Sequence, residues 1–192
     1  MYRSGIDRHQ SAFVSVQKWR IDQLIGFLAE YFEIAGKVVQ VHEGIIDKFI
    51  GDGVMALFGA LSNRKASERA GALLAVKAAR AFRSEFAALL RRWQESQWSK
   101  RAREIEIGLG CGIHTGPVLV GIVKTTHRDQ FSAFGDNVNL AARFEKEAAA
   151  GQILISRSTQ TCIKGDIPSR EVGMVQVKNI EGKYRLFEII DA

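Results

Sequence analysis

The chain is predicted to be of the α/β (α+β) class, one sheet covered by helices. Three observations carry that prediction. Two long segments repeat apolar residues at steps of three and four, the period of a helix with one buried stripe. Between and after them lie short apolar runs bounded by glycine, asparagine or proline, which is the length and punctuation of strands. Helical and strand segments alternate without internal repeats or low-complexity tracts, and that order favours layers of helix on sheet.

Residues 1–10 are polar and carry no strand pattern. A helix is predicted over Ser11–Gln40, with Phe13, Val16, Ile21, Leu24, Leu28, Tyr31, Phe32, Ala35, Val38 and Val39 on one stripe and Glu43-Gly44 as its stop. A hairpin follows at 45–58, where two apolar runs flank Gly51-Asp52-Gly53. Asp-Gly between such runs predicts a type I′ turn, with positive φ at both central residues. The turn puts the Asp52 carboxylate at an exposed tip, between glycines that leave room for a phosphate. A second helix is expected over Ser67–Trp98, buried through Leu74, Ala78, Ala81, Phe82, Phe86, Leu89, Leu90 and Trp93. Its basic end (Arg91, Arg92, Lys100, Arg101, Arg103) reads as a solvated helix C-terminus, where cations are favoured.

A second hairpin is predicted over Glu104–Val123, turning near His114-Thr115-Gly116-Pro117, with Lys124–Gln130 as a loop. A short helix should begin at Asp136 or Asn137 and end near Ala149, stopped by Gly151. Gln152–Ile155 reads as a strand, Ser156 or Ser158 as the cap of a helix to Ile163, and Glu171–Val177 and Tyr184–Ile189 as closing strands.

The 192 residues fit one domain, 1–192, with 1–10 atypical of it. The net charge of +6 suits an anionic ligand such as a nucleoside triphosphate and is also met by ordinary surface lysines and arginines, so nucleic acid is not expected as a partner. Two cysteines without motif spacing exclude a disulfide scaffold and point to the reducing cytoplasm. The four histidines have no zinc-ligand spacing. No apolar run reaches a membrane span, although the intact protein could still be anchored elsewhere.

The hairpin Ile46-Asp47-Lys48-Phe49-Ile50-Gly51-Asp52-Gly53-Val54-Met55-Ala56-Leu57-Phe58 resembles the central hairpin of the class III nucleotidyl cyclases, the adenylate and guanylate cyclases. Phe134-Gly135-Asp136-Asn137-Val138-Asn139-Leu140-Ala141-Ala142-Arg143 resembles that family's Gly-Asp-x-Val-Asn-x-Ala-x-Arg signature, and Gly112-Ile113-His114-Thr115-Gly116 its Gly-Ile-x-Thr-Gly turn. The resemblance implies a ferredoxin-like core with an extra hairpin arm. It implies attack of a ribose 3′-hydroxyl on the α-phosphate, giving a cyclic monophosphate and pyrophosphate. It also implies a homodimer with two shared sites, two Mg²⁺ or Mn²⁺ ions per site, and fusion to a sensor or regulatory domain.

By the same resemblance Asp52 is a metal ligand, and Lys48 and Ser132 meet the purine. Serine resembles the threonine that accompanies adenine in the family, while guanine-specific relatives usually carry glutamate where Lys48 stands, so ATP is the implied substrate. Asn139 places the ribose, and Arg143 stabilises charge on the reacting phosphate. Arg128 and Lys178 match phosphate-contacting positions, Lys178 without the usual Lys-Gly-Lys context because Asn179 and Ile180 follow it. The resemblance implies that one subunit gives a site its metal aspartates and the other gives it Lys48, Ser132, Asn139 and Arg143.

The family's first strand, Phe-x-Asp-Ile-x-Gly-Phe-Thr, is not evident. Counting back from Asp52 by the family spacing lands on Arg8, which makes Asp7 the candidate for the first metal aspartate. The alternative places that strand upstream of Met1, with the domain truncated at its N-terminus. Three functional classes follow: an adenylate cyclase, a guanylate cyclase, and a nucleotide-binding or dimerising module without turnover. A diguanylate cyclase is disfavoured, because Gly51-Asp52-Gly53 is not the Gly-Gly-Asp/Glu-Glu-Phe it would need.

Overall fold

The computed structural model describes residues 21–60, 68–96, 107–124, 126–127, 129–176 and 183–191. Helix α1 spans Ile21–Val41 and buries Phe27, Tyr31, Ala35 and Val39, one residue per turn at a spacing of four. Glu43, in the left-handed region at φ 59°, ends it and feeds strand β1. β1 (Gly44–Ile50) and β2 (Gly53–Phe58) form the predicted hairpin, with Ile50 opposite Gly53. The turn differs from the sequence expectation. Gly51 takes φ 63°, and Asp52 is not in the positive-φ region, which is the pattern of a type II′ turn with glycine first.

Helix α2 (Glu68–Ser96) runs nearly as expected. Its first half, however, is buried through Ala72, Val76 and Ala79, and Leu74 and Ala81 lie at the margin. Phe86, Leu89 and Trp93 of its second half close on Phe27 and Tyr31 of α1, with edge-on rings such as Phe27–Trp93 at 5.7 Å. Small residues at the start of α2 let it approach a sheet closely. Large ones at its end fill the gap to α1.

Among the described residues, which leave out 104–106, the predicted second hairpin is not formed. Strand β3 (Cys111–Ile113) pairs parallel to a later strand, whereas β4 (Leu119–Val123) turns back on β5 (Gln130–Phe134), a strand not predicted from the sequence. The turn at 114–117 thus redirects the chain from a sheet into a separate two-stranded arm.

Helix α3 (Asp136–Glu147), β6 (Ile153–Ser156), helix α4 (Arg157–Ile163), β7 (Ser169–Gln176) and β8 (Lys183–Ile189) follow close to their predicted places. Ser156 caps α4, its hydroxyl accepting from the Thr159 N–H at 3.2 Å.

Among the described residues the main sheet has the order β3-β6-β8-β7, with β3 parallel to β6 and the other pairs antiparallel. Its two faces follow the period of two along each strand. Ile153, Ile155, Phe187 and Ile189 meet α2 and α4, while Leu154 and Leu186 meet Leu140 and Phe144 of α3 and Ala148 just after it. The result is helix on sheet on helix, with the β1–β2 hairpin under α1 and the β4–β5 arm beside it. The first strand of the resemblance, whether near Asp7 or upstream, lies outside the described residues. No helix among the described residues is long and apolar enough to cross a membrane.

Candidate active site

Asp52 stands exposed at the tip of the first hairpin. An open carboxylate flanked by glycines is a donor suited to a hard divalent cation. Among the described residues no group of three or more His, Cys, Asp or Glu side chains is arranged to hold a metal. Asp52 is thus an open carboxylate and not part of a closed cage among the described residues. Behind it lies the Tyr31 phenol, whose pKa is pushed well above its ordinary value by burial and, less, by the charges of Asp52, Cys111 and Glu145. Tyr31 is thus a neutral wall of the hairpin base. The Cys111 thiol, raised to about 12 by burial, is inert as a nucleophile.

Lys48 and Ser132 come from different elements, β1 and β5, and the fold brings them together. Lys48 Nζ donates to Ser132 Oγ at 2.6 Å. Ser132 is buried at 2% exposure, so its hydroxyl has a fixed partner rather than bulk water. Asp47, which sequence reasoning passed over, joins them. The pairing runs from Ile46 opposite Ala56 directly to Lys48 opposite Met55, leaving Asp47 as the extra residue of a β-bulge. Its Oδ1 accepts from the Ala133 N–H at 3.3 Å, and its Oδ2 lies 3.3 Å from Lys48 Nζ. A signal was present: two adjacent charges in Ile45-Ile46-Asp47-Lys48-Phe49-Ile50 interrupt the alternation of a plain strand.

Asn139 and Arg143 lie one turn apart on α3, both exposed. The start of α3 is fixed by Gly135, whose φ of 127° only glycine adopts readily, and by Asn137. Asn137 Nδ2 donates to the Pro117 carbonyl at 2.6 Å, and its Oδ1 lies 2.8 Å from His114 Nε2. Because Oδ1 can only accept, Nε2 carries the proton in the neutral ring. Gly116 is required beside this network, since a Cβ there would come within 2.8 Å of the Asn137 side chain. The His114–Asn137 contact thus ties the turn after β3 to the helix that carries Asn139 and Arg143.

Burial lowers the His114 pKa below its ordinary 6.5, against a smaller opposite effect of the Asn137 hydrogen bond. The unfolded chain therefore takes up a proton that the folded chain refuses. Stability contributed by the neutral ring is present above about pH 6.5 and is lost as pH falls from there toward the lower folded value. Between about pH 7.5 and about pH 5.5 the wild-type melting temperature should fall further than that of His114→Gln, and equal falls would show that the ring is not held neutral.

Asp7, Arg128 and Lys178 lie outside the described residues. Of the residues singled out from the sequence, the structure brings Lys48 and Ser132 into contact and places Asn139 and Arg143 on one helix. Asp52 stands exposed at the hairpin tip.

A sequence model of the adenylate and guanylate cyclase catalytic domain matches residues 11–190. The chain is similar to the terminal-differentiation-specific adenylate cyclase of Dictyostelium discoideum, 33% identical over 92% of this chain and 8% of that protein. It is similar to adenylate cyclase 1 of Rhizobium meliloti, 29% identical over 88% of this chain and 24% of the relative. It thus spans less than a quarter of the length of these two relatives. Among solved structures it resembles the adenylyl cyclase CyaB from P. aeruginosa, with a TM-score of 0.81 and 31% identity over 92% of this chain and 87% of that one. The match over almost the whole chain, with the hairpin and the α3 signature in their expected places, shows that the chain belongs to the adenylate and guanylate cyclase catalytic domain family.

Proposed function

We propose that this chain is an adenylate cyclase catalytic domain, converting ATP to 3′,5′-cyclic AMP and pyrophosphate at sites shared by two copies. The observation that carries the proposal is the pairing of Lys48 with Ser132 at 2.6 Å. An ammonium donor beside a hydroxyl matches the edge of adenine, a ring nitrogen that accepts next to an amine that donates. Lys48 donates a hydrogen bond to the ring nitrogen, and the Ser132 oxygen accepts one from the amine. Asn139 orients the ribose. Arg143 stays charged and offers forked donors to the phosphate under attack. Arg128 and Lys178 neutralise the remaining phosphates. Mg²⁺ or Mn²⁺, two per site, would supply charge neutralisation and a more acidic 3′-hydroxyl when bound, with Asp52 as a ligand and Asp7 as the candidate for the other.

The homodimer is supported by exposed apolar side chains next to these residues. Leu119, Ile122, Val123 and Phe134 on the arm and Phe49 and Ile50 at the hairpin stand open to solvent, a surface of the kind a second copy covers. Completion of the site by the partner's Asp52 agrees with that side chain standing open to solvent at the hairpin tip. The setting is cytosolic, and the greater length of the relatives agrees with a regulatory domain in the intact protein.

The test is substrate choice. Wild type should turn over or bind ATP at least about tenfold better than GTP, and Lys48→Glu should reduce or invert that ratio. An unchanged ratio in Lys48→Glu would remove Lys48 from base recognition. Absence of any cyclic product from a verified dimer that still binds ATP would favour the nucleotide-binding module.

A further inference from the structure

Neighbouring residues of a strand point to opposite faces, yet Asp47 and Lys48 both reach β5. The bulge makes this possible: with Asp47 unpaired across the β1–β2 ladder, the local twist turns both side chains to the same side. Asp47 has no exposed side-chain surface, and its Oδ2 has no hydrogen-bond partner among the described residues. A buried carboxylate oxygen facing only one ammonium is costly to maintain for stability alone, since an apolar residue would fill the place without desolvating a charge. The other oxygen accepts the Ala133 N–H, a donor on the strand next to Ser132. One carboxylate thus touches both the lysine and the strand carrying the serine.

We propose that Asp47 is a positioning residue for purine selection, acting through Lys48; the inference rests on the adenylate cyclase reading above. An ammonium has three N–H donors. In this structure one is directed to Ser132 Oγ at 2.6 Å, and the Asp47 Oδ2 charge, 3.3 Å away, attracts the ammonium as an ion pair. With the head bonded to the hydroxyl and pulled toward the carboxylate, its remaining N–H donors have defined directions, and one of them is left for a ring nitrogen. Without the carboxylate charge Lys48 is held at one point only and swings about its flexible stem, so it can serve either the accepting nitrogen of adenine or the carbonyl oxygen of guanine. Asp47 therefore sets specificity more than affinity for triphosphate.

The experiment compares binding of 2′/3′-O-anthraniloyl ATP and GTP to the full chain as a dimer, for wild type, Asp47→Asn, Lys48→Met and the double variant. Asparagine keeps the shape and the acceptor for Ala133 while removing the charge. Asp47→Asn should weaken the ATP analogue about tenfold and change the GTP analogue by less than about threefold. In the Lys48→Met background it should add no further change, because the effect passes through the lysine. Equal losses for both nucleotides, an unchanged ratio, or fully additive losses in the double variant would overturn the proposal. If Asp47→Asn does not fold, the wild type still decides. The Lys48 ammonium ¹⁵Nζ–¹H resonance should be protected from water exchange when the chain is free of nucleotide, and rapid exchange there would overturn it. A wild-type dimer that binds neither analogue fails at the adenylate cyclase reading itself, before any substitution, and removes the inference with it.

Discussion

Replacing Gly112 with alanine is expected to destabilise the domain by about 3 kcal/mol or more, the upper range for overpacking a filled interior. A Cβ at Gly112 would lie 2.1 Å from the Glu145 nitrogen, 2.5 Å from the Ala141 oxygen and 2.7 Å from the Phe144 carbonyl carbon. All three are backbone atoms of α3, so no flexible side chain can move aside. Cys111 and Ile113 point to the opposite face and pack among the residues around α2, which pins β3 from behind. The clash must therefore be relieved by displacing α3. For a domain of this size the melting temperature should fall by about 6–12 °C. Because α3 carries Asn139 and Arg143, turnover should fall with it even well below the melting temperature. Gly121→Ala is the control: nothing lies within 4 Å of the added atom, and stability should move by less than about 0.5 kcal/mol. Equal melting temperatures for Gly112→Ala and wild type would mean that the helix does not sit on the strand as described.

Asp52→Ala should have the opposite profile, a chemical defect in a well-folded protein. The side chain is exposed at a turn tip, so stability should change by less than about 0.5 kcal/mol. Loss of the proposed metal ligand and of its charge should lower turnover at least about a hundredfold. The proposed sharing of sites between copies adds a sharper expectation. Arg143→Ala should also be inactive, for want of a cation on the reacting phosphate. In a one-to-one mixture with free exchange, about half of the dimers are mixed and each rebuilds one of its two sites, which restores about a quarter of wild-type activity. No recovery after demonstrated exchange would contradict a composite site. Substantial activity in Asp52→Ala alone would contradict its role at the metal.

The parts legible in the sequence are those governed by local rules. The hairpin was marked by Gly51-Asp52-Gly53 between apolar runs, α4 by the Ser156 cap, and α3 by its apolar period with Gly151 beyond it. The parts that were not legible depend on pairing across distance. Cys111–Ile113 and Leu119–Val123 look like two arms of a hairpin, because the turn residues between them are as good as those of any hairpin. Their real partners, β6 and β5, are chosen by side chains from other elements, such as Asn137 reaching Pro117 and Ser158 donating to the Thr115 carbonyl at 2.7 Å. The turn type at Asp52 failed for a smaller reason: the glycine before it, not the aspartate, takes the left-handed conformation. Lys48 and Ser132 were named through family resemblance, whereas Asp47 became visible only when the bulge turned it toward the strand of Ser132.

The most direct measurement of the central claim is the product formed by the purified dimer from ATP and from GTP with Mn²⁺. Cyclic AMP should form at a rate at least about tenfold above that of cyclic GMP, and Asp52→Ala should form neither. Cyclic GMP formed as fast as cyclic AMP, or no cyclic nucleotide from a dimer that folds and binds metal, would contradict it.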